Sequence, residues 1–308
     1  MPKLVAFRRD FHMYAETGWN EYRTASLIAK QLEELGYELL IGPEIIDSDS
    51  RMGLPEKDVR QKQYDRALSQ GAVVEYAERM ADGYAGVVGI LSNGEGPTIA
   101  LRFDIDALDL TETGDADHLP NKEGFASVNE GAMHACGHDG HAAIGLGVAE
   151  VLSRVKEDLR GTVKLVFQPA EEGVRGAKSV AASGVLDDVD FLYGLHIGMK
   201  AKKSGELYCG TKDFLATTKF DAMFKGSSSH AGMAPEEGRN ALLAASSAIM
   251  NLYAIPRHSG GSTRINVGKI VGGSGRNTIP DFARLSIETR GVTAKLNDYM
   301  KSNALRIL

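Results

Sequence analysis

Apolar positions switch between two periods along the chain. Ala25, Ile28, Ala29, Leu32 and Leu35 recur at helical spacing, and Gly36 closes the stripe. Short strand-length runs rich in β-formers occupy residues 98–103, 162–167 and 191–195. Between the first two of these runs, Ile144, Val148, Val151, Leu152, Val155 and Leu159 return to helical spacing. Strands alternating with helices predict an α/β layer structure. Residues 44–83 break this rhythm with a polar, helix-rich stretch that reads as an insertion.

From residue 214 the order changes. Strand signals at 217–224, 264–271 and 282–290 are interleaved with helical stretches at 240–255, which Pro256 stops, and from Lys295 onward. This β-α-β-β-α order is that of a ferredoxin-like unit without its last strand. The expected organisation is therefore residues 1–213 as one domain and 214–308 as a second. Leu296, Met300, Ala304 and Ile307 mark one face of the last helix, and the sequence stops at Leu308 with that face still running. The glycine-rich stretch from Gly272 to Asn277 lacks the Gly-Lys-Ser/Thr of a phosphate loop, so a tight hairpin is expected there.

Candidate chemistry concentrates between the strands. The run His134-Ala-Cys136-Gly-His138-Asp139-Gly-His141 gathers thiol, imidazole and carboxylate in one strand-to-helix connection, a donor mixture suited to zinc or manganese. Pro169 ends the strand at 162–167 and leaves Glu171 and Glu172 adjacent, while the strand at 191–195 delivers His196. In open α/β sheets ligands collect at the carboxyl ends of strands, so Cys136, His138, Glu172 and His196 are expected to converge. Neighbouring side chains on extended backbone point to opposite sides, so Glu171 and Glu172 are expected to divide their roles. Nucleophilic catalysis by Cys136 is the competing reading of the same cluster.

Taken together, Arg8 to His12 (Arg-Arg-Asp-Phe-His), Asp104 to Leu108 (Asp-Ile-Asp-Ala-Leu), the 134–141 cluster, Phe167 to Gly173 (Phe-Gln-Pro-Ala-Glu-Glu-Gly), Leu195 to Gly198 (Leu-His-Ile-Gly) and Ser229 to Gly232 (Ser-His-Ala-Gly) closely resemble the M20 metallopeptidase and amidohydrolase family. The resemblance is to its branch of aminoacylase-like and auxin-conjugate hydrolases. It implies a mixed-sheet catalytic domain with an inserted ferredoxin-like lid and dimerisation domain, incomplete in this sequence. It also implies a divalent metal cofactor, Mn2+ or Zn2+, with two ions in the complete enzyme. By position, the resemblance makes Cys136, His138, Glu172 and His196 metal ligands, Glu171 the acid/base and Asp106 a support of the metal site. It places His230 in the lid, reaching the site of a neighbouring protomer, and gives Arg276 and Asn277 a part in holding a substrate carboxylate. His134 and His141 receive no ligand role.

The implied activity is hydrolysis of the amide of an N-acyl amino acid, most concretely p-aminobenzoyl-glutamate to p-aminobenzoate and glutamate. The implied assembly is a homodimer through the lid, with room for another, related polypeptide. The alternative is a non-catalytic component that keeps the fold without turnover. Members of the resembled family continue through a final lid strand and a further histidine ligand, and no histidine follows His258 here. The expectation is therefore weak metal binding and little activity for the 308-residue polypeptide alone.

Charge and composition narrow the partners. A formal net charge of −6 without a basic block argues against nucleic acid. No apolar run is long enough to span a membrane, and Arg8, Arg9 and Asp10 interrupt any secretory segment. With 2 cysteines there is no disulfide framework, so a reducing, cytoplasmic setting is expected.

Overall fold

The computed structural model describes residues 2–198, 201–210 and 214–308. Two compact units divide it, Met1–Met199 and Lys200–Leu308. The first is built on a mixed five-stranded sheet. Helices α1 (Pro2–Met13) and α2 (Tyr22–Glu34) precede strand β1 (Glu38–Ile41), and α2 buries Ala25, Ile28, Ala29 and Leu32 as the stripe requires. The segment read as an insertion holds α3 (Lys57–Ser69) and α4 (Val74–Arg79), and Ala67, Tyr76, Ala77 and Met80 tie it into the main core. Strands β2 (Val87–Asn93) and β3 (Thr98–Asp104), the short helix α5 (Leu119–Lys122), helix α6 (His138–Arg154), strand β4 (Gly161–Gln168), helix α7 (Ala177–Ala182) and strand β5 (Phe191–Gly194) complete it.

The sheet order is β1-β2-β4-β3-β5. Strand β3 runs parallel to both β4 and β5, whereas β2 is antiparallel to β4 and to β1. The three parallel strands therefore end at one edge, which is where the candidate ligands follow in sequence.

Helix α6 corrects one expectation. Its apolar periodicity puts Ile144, Val151 and Val155 on the inner face, yet all three are exposed, and the helix buries Ala142, Ala143, Gly145, Leu146 and Ala149. Small residues win that face because the helix lies close on the stacked aromatic pair Phe103 and Phe167, with ring centroids 5.4 Å apart. A Cβ on Gly145 would come within 2.6 Å of Phe167. The helix also ends at Arg154, so Leu159 lies beyond it.

In the second unit, β6 (Ala216–Lys225), α8 (Ala241–Tyr253), β7 (Thr263–Gly272), β8 (Phe282–Gly291) and α9 (Ala294–Ile307) follow one another in the expected β-α-β-β-α order. Their antiparallel sheet has the order β6-β8-β7. Its core joins Ala245 and Leu252 of α8, Leu285 and Ile287 of β8, and Met300 and Ala304 of α9. Asn240 and Thr293 cap α8 and α9 by accepting from Leu243 N–H and Leu296 N–H. The expected tight hairpin after Gly272 is not formed. Residues 273–281 instead fold back beside residues 227–231, with Ile279 N–H donating to Ser229 O at 2.9 Å and Ala231 N–H to Asn277 O at 2.9 Å.

Candidate metal centre

Three chain segments leave the parallel edge and meet. After β4, Pro169 ends the ladder and the chain turns sharply through Ala170, whose φ is +49°. Glu171 and Glu172 follow within this turn, so the extended-backbone argument for opposite orientations does not apply. Both carboxylates approach His138 Nε2, Glu171 Oε2 at 3.8 Å and Glu172 Oε1 at 3.9 Å. Gly137, at φ +86°, takes the left-handed conformation that starts α6 and sets Cys136 just outside the helix and His138 as its first residue. Beyond β5, His196 brings Nε2 to 3.3 Å from Cys136 Sγ.

The imidazoles are oriented by their other nitrogens. His138 Nδ1–H donates to Asp106 O at 2.8 Å, which turns Nε2 toward the carboxylates. His196 Nδ1–H donates to Ile197 O at 2.8 Å, leaving Nε2 facing the thiol. Among the described residues three donor groups of metal-binding type are thus formed: Cys136 with His138 and His196, His138 with Glu171 and Glu172, and Asp104 with His138 and His141. His138 Nε2 and Glu172 Oε1 are buried and have no hydrogen-bond partner among the described residues. Unpaired buried polar atoms are costly, and a divalent cation taking the place of the imidazole proton would pair both.

The electrostatics agree. Burial pushes the Cys136 thiol up, and Glu172, Glu171 and Asp104 add to the shift, bringing it to about 12. Burial and the Asp106 charge likewise raise the Glu172 carboxyl. Burial alone would lower His138, but its hydrogen bond to Asp106 and the charges of Asp104, Asp106 and Glu172 carry it up to about 9. Each shift reports an excess of negative charge in a partly desolvated pocket, which suits a bound cation and disfavours a free thiolate nucleophile.

Asp106 links two of the segments, because its Oδ2 also accepts from Glu172 N–H at 2.8 Å. His141 sits close to the donors but has both nitrogens engaged. Its Nδ1–H donates to Asp104, and its Nε2 accepts from Ile197 N–H at 2.8 Å, fixing the segment that carries His196. Asp104, in turn, pairs with Arg102 at 2.8 Å. His134 is buried beside His12, with ring centroids 6.4 Å apart.

Sequence reasoning missed the supports that come from the N-terminal segment. His12 is buried between Asp139 at 2.8 Å and Glu112 at 3.0 Å, and Arg8 reaches Asp139 at 2.8 Å. The Arg8 to His12 motif is the available signal, although nothing in it names its partners. Glu16 and Glu21 are fully buried as well, and no sequence pattern singles them out.

Within the second unit, His230, Arg276 and Asn277 share one region. His230 bridges to Thr278, and its Nδ1 accepts from Gly232 N–H at 3.2 Å, which leaves the proton on Nε2.

Comparison with known proteins bears on the same segments. The sequence pattern of peptidase family M20/M25/M40 matches residues 100–304. One of the polypeptides of p-aminobenzoyl-glutamate hydrolase from Escherichia coli K12 is 50% identical over 304 residues, 98% of this chain and 70% of the relative. Indole-3-acetyl-aspartic acid hydrolase of Enterobacter agglomerans is 50% identical over 309 residues, 100% of this chain and 71% of the relative. Among solved structures, the aminobenzoyl-glutamate utilization protein of Klebsiella pneumoniae superposes with a TM-score of 0.81 at 45% identity, covering 99% of this chain and 71% of that one. With the family pattern spanning the segments that build the centre and relatives half-identical along nearly the whole chain, this protein is a hydrolytic enzyme of peptidase family M20/M25/M40.

Proposed function

We propose that the protein is a metal-dependent amidohydrolase that cleaves the amide between an aromatic acyl group and an acidic amino acid, with p-aminobenzoyl-glutamate as substrate and p-aminobenzoate and glutamate as products. The observation that carries this reading is the pair of buried polar atoms without hydrogen-bond partners among the described residues, His138 Nε2 and Glu172 Oε1, beside the Cys136 and His196 donors. The names of the two relatives at 50% identity support the substrate class, since both pair an aromatic acyl group with a dicarboxylic amino acid.

In this reading Cys136, His138, Glu172 and His196 hold the metal, manganese or zinc, and overlapping donor groups provide for two ions. The bound metal supplies Lewis acidity, lowering the pKa of water and polarising the amide carbonyl. Glu171, the more exposed of the two carboxylates at 34% against 19%, accepts the proton of the attacking water and returns it to the leaving amine. Asp106 orients His138 and the Glu172 backbone together.

The second unit serves as lid and dimerisation domain. His230 donates Nε2–H to the developing oxyanion of a substrate bound by the neighbouring protomer, and Arg276 with Asn277 receives the substrate carboxylate. Exposed Leu243 and Met250 on α8 and Ile270 on the edge strand β7 support a homodimer through this unit. The Escherichia coli relative is named as one component of a multi-subunit hydrolase, which supports a further, related partner. Among the described residues no helix is long and apolar enough to cross a membrane, and with free Cys136 and Cys209 this fits a cytoplasmic location.

The test is hydrolysis of p-aminobenzoyl-glutamate, indole-3-acetyl-aspartate and aliphatic N-acyl amino acids by the full-length protein. Measurements follow chelation and then re-addition of Mn2+ or Zn2+. Activity on the aromatic acyl conjugates that chelation removes and metal restores is expected. Turnover unaffected by chelation, or cleavage of none of these amides, refutes the proposal.

A further inference from the structure

Glu21 stands at the N-cap of α2, where a carboxylate ordinarily accepts from its own helix, yet its side chain makes no such bond. Glu16 takes that duty instead, accepting from Arg23 N–H at 3.0 Å and Thr24 N–H at 2.8 Å. Glu21, fully buried, is thereby freed to reach across the chain and accept from Ala170 N–H at 2.7 Å. Ala170 is the residue with φ +49° that opens the turn bearing Glu171 and Glu172. A left-handed alanine is strained and persists only where its surroundings over-determine it.

The surroundings do so from several sides. Gly18 approaches so closely that a Cβ there would lie 3.1 Å from Ala170 Cα, and a Cβ on Gly176 would lie 1.9 Å from Pro169 O. Gly176 N–H donates to Ala170 O at 2.7 Å, and Arg175 Nε–H to Glu172 O at 2.7 Å. Asp106 holds the far side of the turn through Glu172 N–H. Of these contacts, only the one from Glu21 engages the strained residue's own N–H.

We infer that Glu21 is a positioning residue that holds the Ala170 turn and, through it, sets Glu171 and Glu172 against His138. The inference rests on the metal-dependent reading of the centre. What it requires is an acceptor at glutamate's reach, so length rather than charge is decisive. Glu21→Gln keeps an acceptor oxygen at that reach, whereas Glu21→Asp keeps the carboxylate and withdraws it by one methylene.

The experiment measures Co2+ and Mn2+ affinity by calorimetry, the Co2+ absorption spectrum, kcat and KM on the full-length protein and both variants. Glu21→Asp is expected to lose about 10- to 100-fold in metal affinity and kcat, with KM nearly unchanged and an altered Co2+ spectrum. Glu21→Gln is expected to stay within about 3-fold of the parent. Parent-like metal affinity and spectrum in Glu21→Asp overturn the inference, as does a loss in Glu21→Gln equal to that in Glu21→Asp. A parent protein that binds no metal overturns the underlying reading instead, so the two failures are distinct.

Discussion

Gly145→Ala and Gly147→Ala, two substitutions a half-turn apart on α6, should have opposite effects. Replacing glycine by alanine inside a helix ordinarily stabilises by up to about 1 kcal/mol. At Gly145 the new Cβ would stand 2.6 Å from Phe167 Cε1, 2.8 Å from its Cζ and 3.0 Å from Phe103 Cδ2. Ordinary carbon contacts begin near 3.5 Å, so something must yield by roughly 1 Å. Both rings are essentially fully buried, and overpacking such a core costs about 1–3 kcal/mol, which exceeds the helix gain. At Gly147 the contact is Leu4 Cδ1 at 2.9 Å, the far end of a half-buried side chain that can rotate away.

Gly145→Ala is therefore expected to destabilise by up to about 2 kcal/mol and Gly147→Ala to be neutral or slightly stabilising. Because α6 begins with His138, the first variant should also bind metal more weakly as the helix moves off the sheet. Urea unfolding and metal titration of the two variants side by side provide the measurement. Equal shifts of the same sign would refute the close-packing account of this helix.

Two further outcomes are expected. Glu171→Gln should retain metal and lose roughly 100-fold or more in kcat, whereas Glu172→Gln should lose metal; equal metal loss in both would show that the carboxylates do not divide their roles. Burial alone would lower the pKa of His12, but its hydrogen bonds to Asp139 and Glu112 raise it above 6.5, with Arg8, His118 and His134 the other charged or titratable groups nearby. Because the folded state binds the His12 proton more tightly, the stability it contributes is complete below about pH 6.5 and is lost as pH rises through the raised value. Urea midpoints at about pH 6 and pH 9 should thus fall less in His12→Gln than in the parent, and an identical fall would remove His12 as the cause.

Several of these elements were legible in the sequence because their signals are local. The α2 stripe, the three parallel strands and the β-α-β-β-α order from residue 216 each follow from periodicity and stop signals within a single segment. That strand ends would bring candidate ligands together was also foreseeable, because parallel strands end at a common edge, and Cys136 with His196, and Glu171 with Glu172, meet His138 as two separate groups. Tertiary structure alone decided which α6 face is buried, since hydropathy ranks Ile144 above Gly145 and says nothing of two aromatic rings beneath the helix. It alone decided that Glu171 and Glu172 share a turn and both face His138, and that Glu21 and Asp106 secure that turn from elements far apart in the chain. Those choices depend on which buried polar groups find partners, and partnership between residues so distant in sequence leaves no periodic mark in a single chain.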